Sequence, residues 1–581
     1  MIKKGLEFIK NDKFLSIIKS IFTFLAFLIY FKFIFKSESY DFIFLLLFIF
    51  LVCFYNRTDK KNISDDKRNK AIYNILGFMI SFILITGSIV YSHISEKVGL
   101  IFNFHNIIYL LVGFIGFYLF FKDIVRFVFN NLPKLYNEKK QKMSWKMFVI
   151  IFFIFIIFDM IYFLRFYPAV MTPDSYYVIH YVQNGVLNDF HAFGHTWFFG
   201  VFYLLGNAIF HNSNMAVAFF IVIQMIMCAF LFAYLVKYLY DKGIKKNFII
   251  LLVIFIAFSP LFSIYSITLW RDILFGMAFI PLFISLFEFV SNENKFETKY
   301  LIIYIISVLF ILFFRNNGIY ILLLFIPFFI IFAKGSRKFV LILNMSIVVF
   351  YFVIKGPIFS YFNVQKTTSV EAFSIPLQQI ARVIVNDGNI DNKTSKYLND
   401  VLDIQKIKET YDPTISDYVK RAADNDKISS NKSKFISNWL KLGVENPRIY
   451  FDSYLCSTLG YWYPNVVYWA TAGESKSIFD DVKVKSDPKV PILKSIDILT
   501  SRNIPIMNMI WSIGTMFIIL LISTFIMIYK KKSRYLLAYI PLYCLWASLM
   551  LASPVFSELR YIYGLFVCVP LLLFVPFIKT D

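Results

Sequence analysis

The sequence predicts an all-α polytopic membrane protein with about 14 transmembrane helices and a small extracytoplasmic domain. Three observations predict it. Hydrophobic residues fill 59% of the 581 positions and aromatics 20%, with 72 Phe and 37 Tyr, a background no soluble domain carries. Apolar runs of about 18 or more residues recur along the whole length. Lys and Arg gather in loops at alternate ends of those runs, as cytoplasmic loops do. The same bias explains the net charge of +22: basic loops meet anionic lipid, and with no basic stripe outside them no nucleic-acid partner is expected. Cys53, Cys228, Cys456, Cys544 and Cys568 show no CxxC or metal-ligand spacing, so no disulfide framework is expected. The N-terminal stretch MIKKGLEFIKNDK precedes an apolar run too long for a signal h-region, and no small-residue cleavage site follows. The first span is read as uncleaved.

Residues 1–140 read as an N-terminal four-helix membrane module, with spans at 16–35, 41–55, 71–92 and 99–120 and basic connections between them. The module carries little internal charge and no clustered motif. Residues 141–355 read as a transmembrane core. Its first span, 147–166, delivers the stretch 167–196, YPAVMTPDSYYVIHYVQNGVLNDFHAFGHT, to the outside. If the short apolar piece after it crossed the bilayer, the span at 214–238 would put KYLYDKGIKKN outside, against the charge rule. Residues 196–211 are therefore read as a re-entrant or surface helix. Spans at 246–262, 273–290, 299–314, 318–333 and 337–355 follow. Residues 356–505 are polar and mixed in charge, long enough for a small extracytoplasmic domain. Residues 506–581 hold the C-terminal transmembrane helices, at 506–529, 534–551 and 559–577. Both termini then fall in the cytoplasm and the chain belongs in the plasma membrane. No repeat links the halves, which counts against a transporter built on inverted repeats.

With sides assigned from charge, the polar motifs sort by side. PDS (173–175), HAFGH (191–195), LWRD (269–272), RNNG (315–318), PLQQIAR (376–382) and SELRY (557–561) all fall outside, and the basic clusters inside. Charge bias and motif placement are independent, and their agreement points to one extracytoplasmic site with 167–196 as its active-site loop. Asp174 has two compatible readings. With Thr172 as N-cap and Pro173 at the first helical position, its charge suits the first turn of a helix. As a partly desolvated carboxylate at a membrane face, it suits a general base.

His191 and His195 lie four apart and share a helix face. That spacing suits a divalent metal, with Asp189 as an assumed third ligand, but the Glu of HExxH is missing. Binding of acceptor or phosphate, or hydrogen bonding at the interface, is the preferred reading, and no resident metal or cofactor is expected. Arg271, Arg315 and Arg560 each end a span, where any one would suit snorkelling. Three on the carboxylate's side suit a lipid phosphate, with Asp272 orienting Arg271. Asp159 is an intramembrane carboxylate, either functional or paired with a basic residue on a neighbouring span. Gln378, Gln379 and Arg382 fall on neighbouring helix positions. Tyr461, Trp462, Tyr463, Tyr468 and Trp469 suit stacking on sugar faces or an interfacial belt. Candidate acceptor-binding residues are thus His191, His195, Asp272, Gln378, Arg382 and Trp462.

A span that exits into a loop with an Asp, a His-containing stretch leading into a short surface helix, then many spans and an outer domain resembles the GT-C superfamily. These membrane glycosyltransferases take a sugar from a polyprenyl-phosphate donor, and include protein O-mannosyltransferases and lipid A aminoarabinose transferases. Pro173-Asp174-Ser175, the His191–His195 stretch before 196–211, and Trp270-Arg271-Asp272 carry the resemblance, over roughly residues 145–355. Ser175 stands where the family usually has a second acidic residue, and HTWF at 195–198 lacks the usual proline. The resemblance implies a GT-C-type helix arrangement and inverting transfer from a polyprenyl-phosphate-linked sugar to an extracytoplasmic acceptor: an envelope glycan, a lipid or a protein. Asp174 would be the base, and Arg271, Arg315 and Arg560 would hold the donor phosphate. The alternative function is a transporter or flippase of a lipid-linked glycan, which predicts charge along a path through both leaflets; a non-catalytic envelope scaffold is a third.

Overall fold

The computed structural model describes residues 12–35, 41–59, 66–137, 141–466, 477–490, 509 and 511–579. The basic stretch at residues 1–11, Tyr468, Trp469, the end of the polar segment at 491–505 and the last two residues lie outside them. Within them the chain is helical, with isolated bridges in place of strands.

Helices α1 (Asp12–Phe35), α2 (Asp41–Asp59), α3 (Lys67–Ser92) and α4 (Phe104–Asn130) pack on one another. Small residues set their spacing: a Cβ on Gly116 of α4 would meet the Phe22 carbonyl oxygen of α1 at 2.0 Å, the close backbone approach that glycine permits between apolar helices. Then come α5 (Trp145–Arg165), α6 (Pro173–Gln183), α7 (Phe193–Phe210) and α8 (Ser213–Asp241). Helices α9 (Lys246–Phe258) and α10 (Pro260–Ser266) form a pair bent by 55° where Pro260 removes a backbone donor. Helices α11 (Arg271–Met277) and α12 (Phe279–Ser291) continue one apolar stretch. They are followed by α13 (Thr298–Phe314), α14 (Gly318–Phe332) and α15 (Arg337–Val353), which runs on through a π turn to Tyr361.

The polar segment folds as α16 (Ser374–Val385), α17 (Asn392–Val401), α18 (Ile404–Thr410), α19 (Asp417–Lys420), α20 (Asn425–Ser430), α21 (Lys432–Glu445) and α22 (Pro447–Thr458) around its own core of Leu377, Ile380, Leu398, Ile407, Phe435 and Leu442. Helices α23 (Ile513–Tyr529), α24 (Ile540–Ala552) and α25 (Tyr563–Phe574) complete the chain.

Each apolar run read from the sequence carries helix. Among the described residues, eight helices are long and apolar enough to cross a membrane, nine if the bent pair is one span, and five more are apolar over 10–17 residues. Large apolar side chains such as Phe42, Phe104 and Phe153 face outward, as expected where the solvent is lipid. The fold is thus that of an all-α, multi-pass membrane protein. Helix α7 is outside the set of candidate spans. It buries His195, Phe199 and Tyr203 and leaves Trp197, Leu204 and Ile209 exposed.

Several ties fix the polar segment to the helices. Among them, Asp481 sits on His180 Nδ1 (2.8 Å) and Lys489 N donates to Leu164 O (2.9 Å). Residues 414–416 pair with 554–556 through Phe556 N to Thr414 O (2.9 Å) and Ser416 N to Pro554 O (2.8 Å). Gln365 pairs with 187–189, its N donating to Leu187 O and its O accepting from Asp189 N, both at 2.9 Å. Arg382 donates to Glu96 O and Gly99 O, and Asp452 accepts from Ile101 N at 2.8 Å.

Candidate active site

The loop before α6 is built first by local capping. Thr172 accepts from Ser175 N, and Ser175 Oγ accepts from Thr172 N, a reciprocal box with Pro173 at the first helical position. This is the cap the sequence suggested, and Ser175 completes it. Asp174 takes no part in that box. The loop is next zipped to the one before α11: Val170 N donates to Ile267 O, Leu269 N to Val170 O, Ser175 Oγ to Leu269 O, and Trp270 Nε1 to Thr172 Oγ1 at 2.7 Å. Arg271 then reaches back to the Phe190 carbonyl at 2.7 Å and holds the 190–195 loop. The stretch before α25 adds Glu558 and Arg560.

These loops and the polar segment enclose a cleft of about 630 Å³. Asp174, His191, Arg271, Glu558, Arg560 and Tyr561 line it from the helical side, and Glu371, Asp417, Lys420, Arg421 and Asn425 from the polar segment. Asp174 and Arg560 form an ion pair, Oδ2 to Nη1 at 2.5 Å, with a third of the Asp174 side chain still open to the cleft. Burial pushes the Asp174 carboxyl upward, but Arg560, with His191 and Arg271, outweighs it and holds the group well below the usual carboxylate range. Arg560 Nε also faces Glu558 Oε1 at 3.4 Å, and its guanidinium lies over the rings of Trp270 (4.9 Å) and Tyr561 (5.1 Å). Glu558 goes the other way from Asp174. Its burial outweighs Arg560, and with the nearby Asp272 and Asp174 it is pushed up to about 7. Arg271 forms no ion pair among the described residues, so its charge is available to a ligand. His191 stacks on Tyr177 at 5.4 Å, and burial first, then Arg271, pushes it down to about 3. It is neutral at physiological pH, and its Nε2 is buried without a hydrogen-bond partner.

Other residues singled out from the sequence lie elsewhere. His195 sits between Phe220 and Phe314, fully buried, with neither ring nitrogen hydrogen-bonded, away from the cleft lining. Asp189 is gripped by Lys355 through both carboxylate oxygens at 2.6 Å, so it is not free to join His191 and His195 around an ion. Among the described residues no group of three or more His, Cys, Asp or Glu has metal-holding geometry. Asp272 does not orient Arg271. It pairs with Arg315 at 2.9 Å, behind the cleft wall. Gln378 donates to Asp412 O, Arg382 to the 96–99 backbone, and Trp462 to Thr458 Oγ1; all three are packing residues outside the lining. Asp159 is buried beside the hydroxyls of Ser263 and Ser266 on α10, with no basic partner among the described residues.

The sequence reading overlooked Glu558, Glu371, Lys420 and Arg421. Glu558 was inside the quoted SELRY motif, and a carboxylate two residues before an arginine at a span end was the available signal. The three on the polar segment carry no local signal: Lys420 pairs with Glu371 at 2.7 Å, 49 residues away. A cleft that sets one ionised carboxylate, one carboxyl poised near neutrality and an unpaired guanidinium side by side can bind an anion and move a proton within a few ångströms. No curated protein and no solved structure matches the chain. A family described as being of unknown function, DUF6020, matches residues 16–580, and the chain belongs to that family.

Proposed function

We propose that this protein is an integral glycosyltransferase of the plasma membrane that moves a sugar from a polyprenyl-phosphate donor to an extracytoplasmic acceptor with inversion. The observation that carries the reading is the open Asp174–Arg560 pair beside the unpaired Arg271 in one cleft. The sequence resemblance supports it independently through the Pro173-Asp174-Ser175 and Trp270-Arg271-Asp272 stretches. On this reading the donor phosphate docks on Arg271 and draws Arg560 toward itself, because a phosphate matches the guanidinium fork. Asp174 then loses part of its ion pair and gains proton affinity. It takes the proton of an acceptor hydroxyl as the oxygen attacks the anomeric carbon from the face opposite the phosphate. The carbon–oxygen bond to phosphate breaks, its electron pair leaves with the phosphate, and both arginines hold the product. Arg315, tied to Asp272 behind the wall, has no direct part in the phosphate site.

The test is transfer from a polyprenyl-phosphate sugar in membranes with matched expression of each variant. Asp174→Asn keeps the size of the side chain and removes the base, so transfer should fall by about two to four orders of magnitude while donor binding persists. Arg271→Ala should lose donor affinity first. Near-normal turnover by Asp174→Asn would sink the base assignment. Lipid-linked sugar that crosses the bilayer without transfer would favour a flippase.

A further inference from the structure

A second cavity system lies in the seam between α3, α4 and the polar segment, apart from the cleft. Its inner chamber, about 270 Å³, is walled by Phe82 and Thr86 of α3, Ile107 and Leu110 of α4, and Phe451 of α22. A wider recess of about 660 Å³ adjoins it, and Leu100 and Arg448 line both. Two observations point to a ligand. Thr86 is 1% exposed and its hydroxyl has no hydrogen-bond partner, an unusual state for a buried hydroxyl. Arg448, at the junction of the two spaces, is exposed and forms no ion pair among the described residues. Three carboxylates share the lining: Asp452 accepts from Ile101 N, Asp387 faces Lys408 at 3.6 Å, and Glu445 faces Lys441 at 4.0 Å with its Oε2 buried and without a hydrogen-bond partner; none of them pairs with Arg448.

The apolar walls are themselves partly open. Phe82, Leu100, Ile107 and Phe451 keep 40–52% of their surface. Helices α3 and α4 are both long and apolar enough to cross a membrane, and the chamber is built from the last turns of one and the first turns of the other. An oily chamber beside a single unpaired guanidinium, at the ends of two such helices, fits an amphipathic anion. A neutral lipid would leave Arg448 unanswered, and a free phosphate would leave the chamber unfilled.

We propose that this seam binds one anionic membrane phospholipid, with its phosphate on Arg448, a glycerol ester carbonyl accepting from the Thr86 hydroxyl, and an acyl chain along the Phe82 side of the chamber. The lipid then joins the four-helix group to the polar segment and gives the N-terminal helices a role separate from the cleft. The proposal is independent of the glycosyltransferase reading.

The experiment is native mass spectrometry of the full-length protein, titrated separately with phosphatidylglycerol, phosphatidylcholine and inorganic phosphate. Phosphatidylglycerol should be retained about fivefold better than phosphatidylcholine, the worth of one basic residue at an anionic headgroup. Arg448→Glu, an exposed change that leaves packing intact, should abolish that preference. Thr86→Trp, which fills the chamber, should remove the tightly held lipid. Equal retention of the two lipids, unchanged phosphatidylglycerol binding in both variants, or retention of inorganic phosphate in place of lipid would each overturn the proposal.

Discussion

Arg315 and Arg560 both pair with a carboxylate, and both lay a guanidinium over the same ring, Tyr561, at 4.3 and 5.1 Å. Their surroundings separate them. In the Arg315–Asp272 pair the side chains are 10% and 1% exposed, and Arg315 also donates to the Tyr561 carbonyl. In the Arg560–Asp174 pair they are 13% and 33% exposed, and the open member faces the cleft. A closed pair has nothing to exchange with a ligand and serves the fold. An open pair can trade its partner for a substrate charge. Two arginines that look alike at span ends in the sequence therefore have different work, set by which carboxylate the fold leaves uncovered.

The largest effect that tests this contrast is on stability. Arg315→Leu strands Asp272 as an uncompensated buried charge, at a cost of about 3–5 kcal/mol. The double change Arg315→Leu with Asp272→Leu should recover most of it, because two apolar side chains replace a desolvated pair. Arg560→Leu should be milder, since Asp174 can turn to water in the cleft, and its main loss should be donor affinity. Thermal unfolding in detergent, followed for all three variants, checks the ranking. Equal losses for Arg315→Leu and Arg560→Leu would erase the distinction.

A second effect sharpens the open side. Glu558 is 3% exposed, and burial lifts it to about 7 from its ordinary value of 4.5. Between those two values the folded protein keeps a proton that the unfolded chain has released. Stability should therefore fall as pH rises through that window, by about 3 kcal/mol in total. His191 acts in the opposite sense. Held at about 3 against its ordinary value of 6.5, it makes the unfolded chain bind the extra proton below pH 6.5. The informative quantity is thus the difference between wild type and Glu558→Gln. Melting curves at pH 5 and 7.5 should show wild type losing stability relative to the variant as pH rises. A constant difference would mean that Glu558 titrates normally.

The contrast also explains how much could be read in advance. Positions of the helices followed from apolar run lengths, because the spacing between polar interruptions is a local property of the chain. The Thr172 cap was legible for the same reason. Asp174, His191, Arg271 and Arg560 were singled out as charged or titratable groups at span ends, and these four line the cleft. The same signal selected Arg315, Asp272 and His195, which the fold turns inward, because density of polar residues reports nearness to an interface and not the direction of a side chain. In the polar segment the signal failed. The face of α16 that carries Gln378 and Arg382 packs into the segment and against the 96–99 backbone, while the residues that reach the cleft, Lys420 and Arg421, sit in a stretch with no motif. Their placement depends on the pairing of 414–416 with 554–556, a contact across some 140 residues that no local pattern encodes.

The smallest effect concerns Gln378, an acceptor-binding candidate by sequence and a packing residue by structure. Its Nε2 donates to the Asp412 carbonyl at 2.9 Å, while its Oε1 is buried with no hydrogen-bond partner. Gln378→Leu removes one hydrogen bond and leaves the Asp412 carbonyl short of a donor, but it also removes the unsatisfied acceptor. Those two changes oppose each other, so the net cost should stay within about 1 kcal/mol, the size of one ordinary hydrogen bond. Because the side chain lies outside the cleft lining, KM for the acceptor should not move. An amide that bound the acceptor directly would behave differently: its loss would forfeit about 0.5–1.5 kcal/mol of binding and raise KM up to roughly tenfold, with little change in melting temperature. Steady-state kinetics and a melting curve on the same preparation separate the outcomes. A several-fold rise in KM at unchanged stability would return Gln378 to the site and require the polar segment to move when substrate binds.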